Sequence, residues 1–161
     1  MNDGTFDSAA WIEECLDGMF SGVSEPVQEY GRPARKRNAV VEETFELASR
    51  VMDYTEVLLR TNSVFADQIL RSGTSVGSHT REAQSAESLA DFVHKMKMAH
   101  KELEETDFRL ALSHVKAHYP QDDDLVRRTK VLIPHFHRIL PTSRTRLNQL
   151  AEERRAKRRG R

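Results

Sequence analysis

Between positions 89 and 110, the residues Leu89, Phe92, Met96, Ala99, Leu103, Thr106 and Leu110 follow one another at alternating intervals of three and four. Only a helix brings such positions onto one side, because both intervals approximate one turn, whereas a half-buried strand repeats every two residues. Ser88 to Asp91 ahead of the run fits the S-x-x-D capping pattern. The spacing predicts a helix ending at Tyr119-Pro120, near 30 residues and roughly 45 Å long. Phe108, Leu112, Val115 and Tyr119 form a second apolar seam on the same rod.

Three further helices are legible around this one. The first is expected from about Ala39 to Arg60 behind an Asn38 cap, with Val41, Thr44, Ala48, Val51, Thr55 and Leu58 on one face. A stripe of Phe45, Met52 and Leu59 beside it is read as widening the buried surface. The second starts after Thr61-Asn62-Ser63 and carries Phe65, Ile69 and Val76 inward. The fourth opens at Asp122, Asp123 and Asp124, where the positive end of a helix dipole welcomes acidic residues. It buries Leu125, Leu132, Phe136, Ile139, Leu147 and Leu150, and a kink or break is expected at Pro134 and Pro141. Four helices with short connections predict an all-α, antiparallel four-helix bundle of up-down-up-down topology. The second seam on helix three exceeds what one bundle can bury, which predicts self-association.

The second helix must accommodate Ser72, Gly73, Thr74, Ser75, Gly77 and Ser78, a run of poor helix formers. Small residues kept at this cost imply that a neighbouring element approaches that backbone closely.

Composition narrows the class. Hydrophobic residues make up 38% and charged residues 31%, and only 7 Gly and 5 Pro leave few turns for an all-β fold. The lone Cys15 excludes an internal disulfide and gives no C-x-x-C pattern, which points to a cytoplasmic location. No apolar run approaches the roughly 20 residues of a membrane span. The net charge of +0 conceals segregation. Residues 1–37 form an extension that is acidic up to position 31 and contains a short amphipathic stretch from Ala9 to Phe20. Residues 38–150 form the bundle, and residues 151–161 a basic tail.

The segment from Ile69 to Gly77, which contains Arg71, Ser72, Gly73, Thr74, Ser75, Val76 and Gly77, continues through Arg81-Glu82-Ala83 to Asp91-Phe92. It resembles the bacterial four-helix bundle proteins first noted as products of intervening sequences in large-subunit ribosomal RNA genes. That family includes the accessory variability determinant of diversity-generating retroelements. The resemblance covers about residues 39–150 and implies a homopentameric ring with no catalytic activity and no cofactor. For the retroelement branch it implies binding to nucleic acid and to a reverse transcriptase. His79 stands where the family pattern has Asn.

The candidate nucleic-acid-binding residues are Arg127, Arg128, Lys130, Arg138, Arg144 and Arg146 on helix four, with Arg154, Arg155, Lys157, Arg158, Arg159 and Arg161 beyond them, and Lys95, Lys97 and Lys101 of helix three could line one surface with the helix-four cations. A protein-only scaffold is the competing reading. An Arg/His ribonuclease is the enzymatic one, on the spacings Arg109 to His114 and Arg128 to His135, which chance placement also yields. Histidine pairs such as His114/His118 and His135/His137, and Asp91-x-x-His94, complete no metal site by spacing, and no E-x-x-H occurs.

Overall fold

A computed structural model describes residues 38–159. The N-terminal extension with its Ala9 to Phe20 stretch and Cys15, and Arg161 of the tail, lie outside the described residues. Four helices follow in order: α1 (Ala39–Leu58), α2 (Ser63–Ala83), α3 (Leu89–His114) and α4 (Asp123–Arg159). No strand occurs among the described residues. Each helix packs on the next and α4 returns to α1, so α1 and α3 occupy diagonal corners of a four-helix bundle.

Side chains cap all four helices. Asn38 Oδ1 accepts from the Val40 and Val41 N–H groups at 3.2 and 3.4 Å, and Asn62 Oδ1 from Phe65 at 3.0 Å. Ser88 Oγ accepts from Asp91 at 3.1 Å and Asp122 Oδ1 from Leu125 at 2.9 Å. Each bond satisfies an N–H that the helix itself leaves unpaired.

The 3,4 pattern of α3 is buried along its whole length, from Leu89 through Phe92, Met96, Ala99, Leu103 and Thr106 to Leu110. On α1 the buried stripe is Val40, Thr44, Leu47, Val51, Tyr54, Thr55 and Leu58, and Val41 and Ala48 lie half-buried at its edge. The expected second stripe faces solvent instead, with Phe45 70%, Met52 52% and Leu59 50% exposed. These three residues each follow a core residue by one position, which turns them about 100° away from the core, and α1 has neighbours only on the other side. Phe108, Leu112 and Val115 of α3 are exposed too.

Helix α1 ends at Leu58, short of Arg60, because the N–H groups of Thr61 and Asn62 both turn back to the Leu58 carbonyl and set up Asn62 as the next cap. Helix α3 ends at His114 rather than Tyr119. The backbone tightens through Lys116 N–H to Ser113 O and Tyr119 N–H to Lys116 O, both at 2.9 Å. Tyr119 then folds over the α1–α2 connection, accepting from Asn62 Nδ2 at 2.8 Å and lying 5.9 Å from the Phe65 ring. Tyr54 secures the same corner through its hydroxyl, which bonds Ser113 Oγ and donates to the Pro120 carbonyl.

Helix α4 is not broken at its prolines; one helix runs from Asp123 to Arg159. Pro134 and Pro141 withhold N–H groups from the carbonyls of Lys130 and His137, and all four residues are exposed. Water can serve those carbonyls, so the helix continues.

Along the small-residue run of α2 the hydroxyls bond back to the preceding turn, which does not stabilise a helix, so the packing of its small face keeps the run helical. Thr74 donates to Leu70 O at 2.7 Å, Thr80 to Val76 O at 2.8 Å, and Ser72 and Ser78 each to the carbonyl four residues earlier at 3.2 Å. The close approach is made by α1. A Cβ at position 73 would sit 2.6 and 2.7 Å from the two γ-carbons of Val51, and one at position 77 would sit 3.2 Å from the Thr44 carbonyl oxygen. About 100° around α2 from Gly73, Ser72 Oγ meets Thr106 Oγ1 of α3 at 2.9 Å.

Gly73→Ala therefore overpacks a buried contact. Unfolding free energy from urea titration is expected to fall by about 1–3 kcal/mol, less up to about 1 kcal/mol returned by helix propensity. In a Val51→Ala background, which removes both γ-carbons and leaves the Cβ contact at 3.0 Å, the loss is expected to shrink; an equal loss in both backgrounds would refute the contact.

Candidate nucleic-acid interface

The cations of α4 divide into two groups. In its first turns they are neutralised within the bundle. Arg128 Nε bonds Asp124 Oδ2 at 2.8 Å and Arg127 bonds the other oxygen of the same carboxylate. Those hydrogen bonds, Arg128 first, hold the Asp124 carboxyl down at about 2. Lys130 Nζ lies 2.5 Å from Asp107 Oδ2 of α3. Arg50 of α1 joins the cluster at 2.7 Å from Asp122. These contacts tie helices together and leave little charge for a partner.

Farther along, carboxylates thin out. Arg138 and Arg144 are exposed, and Arg146 is half-buried with its Nε shielded from solvent and without a hydrogen-bond partner. Residues 151–159 are exposed throughout while remaining helical. The composition explains that persistence, since Ala, Glu, Lys and Arg are all good helix formers and cations suit the negative C-terminal end of the dipole. Arg154, Arg155, Lys157, Arg158 and Arg159 thus project from a rod, and none of them pairs with a described carboxylate.

A cleft of about 600 Å³ lies between the start of α3 and the later part of α4. Its polar wall is formed by His94 and Lys97 of α3 with Arg144, Thr145 and Asn148 of α4, and no carboxylate lines it. Arg155 and Arg158 lie three and four helical turns beyond Arg144 on the same face, separated from it by Leu147, Asn148, Ala151 and Glu152. Lys97 and Arg144 are far apart in sequence, and nothing short of the α3–α4 packing brings them to one wall.

The family-motif residues serve the bundle. Ser72, Gly73 and Val76 are buried between helices, while Ser75 and Gly77 are half-buried. Glu82 reaches α3 through Lys95 Nζ at 2.7 Å, and that hydrogen bond lowers the Glu82 pKa and raises that of Lys95. Arg71 bonds Asp67 on its own helix at 2.9 Å. His79 is largely buried, 3.7 Å from Glu82, with Nδ1 unpartnered.

The pairings at the two Arg/His spacings are structural. Arg109 bonds Glu105 and the Gln68 carbonyl, and His114 faces Asp123 at 3.4 Å. Arg128 is held by Asp124. The structure does assemble one histidine group that spacing rules missed: His100, Glu104 and His137. Two of its members lie four apart on α3 and the third comes from α4, so no motif confined to one segment could reveal it.

A family model described as 23S rRNA-intervening sequence protein matches residues 36–130. Among solved structures, a protein of unknown function from the S23 ribosomal protein family of Bacteroides thetaiotaomicron is 30% identical, with a TM-score of 0.61. The alignment covers 65% of this chain and 96% of that one. A search of curated proteins returns no match. The matched family region stops at position 130, so the unpaired cations of α4 lie beyond it.

Burial is the largest cause that lowers the pKa values of His100 and His135 below the ordinary 6.5. The folded chain then binds fewer protons than the unfolded chain near that pH, so these groups contribute full stability above it and lose that contribution as pH falls through it. Urea midpoints at about pH 7.5 and about pH 5.5 are expected to show the lower value at the acid condition. Replacing both histidines by Gln is expected to shrink the difference.

Proposed function

The chain belongs to the 23S rRNA-intervening sequence protein family, and on that footing we propose that it is an oligomeric binding module that holds nucleic acid along the basic half of α4. The observation that carries this reading is the exposed helical arm at 151–159, whose five cations pair with no described carboxylate and which extends the helix that forms one wall of the Lys97 and Arg144 cleft. Phosphate backbones are recognised by such arrays because each neutralised phosphate releases condensed counterions. The described contacts contain no assembled nucleophile, base and orienting carboxylate, and the module acts by binding.

Self-association is the second part of the proposal. Two separate apolar seams reach solvent, Phe45, Met52 and Leu59 on α1 and Phe108, Leu112 and Val115 on α3. Because α1 and α3 sit at diagonal corners, the seams face away from each other. A seam of one copy meeting the opposite seam of the next is a heterologous contact, which propagates until rotation closes it into a ring. The pentamer is the closure proposed. The same seams favour the protein-only scaffold as the second reading.

Full-length protein is expected to bind single-stranded RNA with log affinity falling linearly against log salt. Ending the chain at Ala151 should weaken binding and flatten that slope by roughly 2–4, at about 0.7 per lost phosphate contact on a single strand. Absence of binding at low salt, or an unchanged slope after truncation, overturns the nucleic-acid reading and leaves the scaffold. Sedimentation equilibrium is expected to give a multimer for the native chain and a monomer for Phe108→Glu/Leu112→Glu, whose substitutions place charge on the α3 seam and leave the buried stripe intact.

A further inference from the structure

Helices α3 and α4 meet where His100 and Glu104, one turn apart on α3, face His137 of α4. His100 Nε2 is 3.4 Å from a Glu104 oxygen, and His137 Nε2 is 3.8 Å from the same oxygen. One donor atom from each residue lies within 4.8 Å of the other two. Both separations exceed the usual length of an N–H···O bond, and His100 Nε2 is shielded from water with no hydrogen-bond partner. A buried polar atom left in that state is destabilising until something occupies its free valence.

We propose that His100, Glu104 and His137 bind one divalent transition-metal ion of the zinc class, which clips α3 to α4. Two imidazoles and a carboxylate are a donor set that zinc accepts, with bonds of about 2.0–2.2 Å. Tetrahedral geometry at those lengths sets donors roughly 3.4 Å apart, close to the spacing already present. The remaining contraction falls to Glu104 and His137, whose side chains are half-exposed and free to rotate. The His100 ring is fixed, stacked on Phe136 with ring centroids 5.8 Å apart. Exposure on the Glu104 and His137 side gives the ion an entry path and leaves its fourth position to water.

The place chosen has a physical logic. His137 lies between Pro134 and Pro141, so α4 lacks two backbone hydrogen bonds there, and the carbonyl deprived by Pro141 is that of His137 itself. A metal link to α3 would fasten α4 where its own ladder is weakest. Binding only the folded state, the ion stabilises by mass action.

The test uses the full chain freed of metal, titrated with Zn²⁺ against a chromophoric chelator and followed by thermal unfolding. One Zn²⁺ per chain is expected, with Tm rising by roughly 5–10 °C at about a hundredfold excess over Kd. His137→Ala and Glu104→Gln, both solvent-accessible changes, are expected to keep the helical circular-dichroism spectrum. Each should weaken Zn²⁺ at least about tenfold, the loss that even supporting residues around a metal produce, and His118→Ala should leave it unchanged. Equal Zn²⁺ affinity in the native chain and both site variants, or a native chain that takes up no Zn²⁺ and shows no change in Tm, overturns the proposal.

Discussion

The contact between Gly73 and Val51 sets the distance between α1 and α2, and the rest of the bundle is built outward from it. A side chain of any size at position 73 would drive its Cβ into both γ-carbons of a fully buried valine, so the two backbones can come this close only with glycine there. Gly77 repeats the approach one turn on, against the carbonyl of Thr44. About 100° around the same helix, Ser72 is small enough to let its hydroxyl meet that of Thr106 of α3. Gly weakens a helix by about 1 kcal/mol, and hydroxyls that bond back to the preceding turn do not offset this, so the packing of the small face is what holds α2 in shape.

How much of this could be read from the chain depends on how many sides of a helix are covered. The α3 stripe was legible residue by residue, because a 3,4 pattern of large apolar side chains has one helical solution and the core took all of it. On α1 the pattern was ambiguous, since Phe45, Met52 and Leu59 are as hydrophobic and as regularly spaced as the buried set. Periodicity locates a stripe but not the direction of the neighbours, and here the neighbours lie toward Val40, Leu47 and Tyr54. The prolines of α4 misled for a related reason. Their effect on a helix depends on whether the freed carbonyls reach water, and sequence does not carry exposure.

The site was legible in its residues and not in its arrangement. Counting cations on helix four gives Arg127, Arg128 and Lys130 the same standing as Arg154 and Arg155, yet the first three already hold Asp124 and Asp107. Lys97 and Arg144 were legible as candidates for one basic surface but not as the pair that lines a cleft, and the His100, Glu104 and His137 group was hidden because its members come from two helices. Each depends on the register between α3 and α4, which is decided by core residues such as Phe92, Leu103, Phe136 and Ile139 rather than by the polar residues it brings together.

Charge pairing and apolar exposure then divide the surface between two tasks. Near the start of α4, carboxylates from Asp107, Asp122 and Asp124 absorb cations of α1 and α4, which keeps a chain of zero net charge compact there. Past Leu150 α4 continues exposed, with Glu152 and Glu153 followed by Arg154, Arg155, Lys157, Arg158 and Arg159. A single rod of this kind offers a weak field, screened over about 8–10 Å in salt. In the ring proposed from the diagonal seams, every copy presents its rod in the same orientation relative to the symmetry axis, so the basic stripes repeat around one ring and their potentials add. The neutral composition of the chain and a charged assembly are therefore compatible: pairing stabilises each bundle, and repetition concentrates the cations that pairing leaves free.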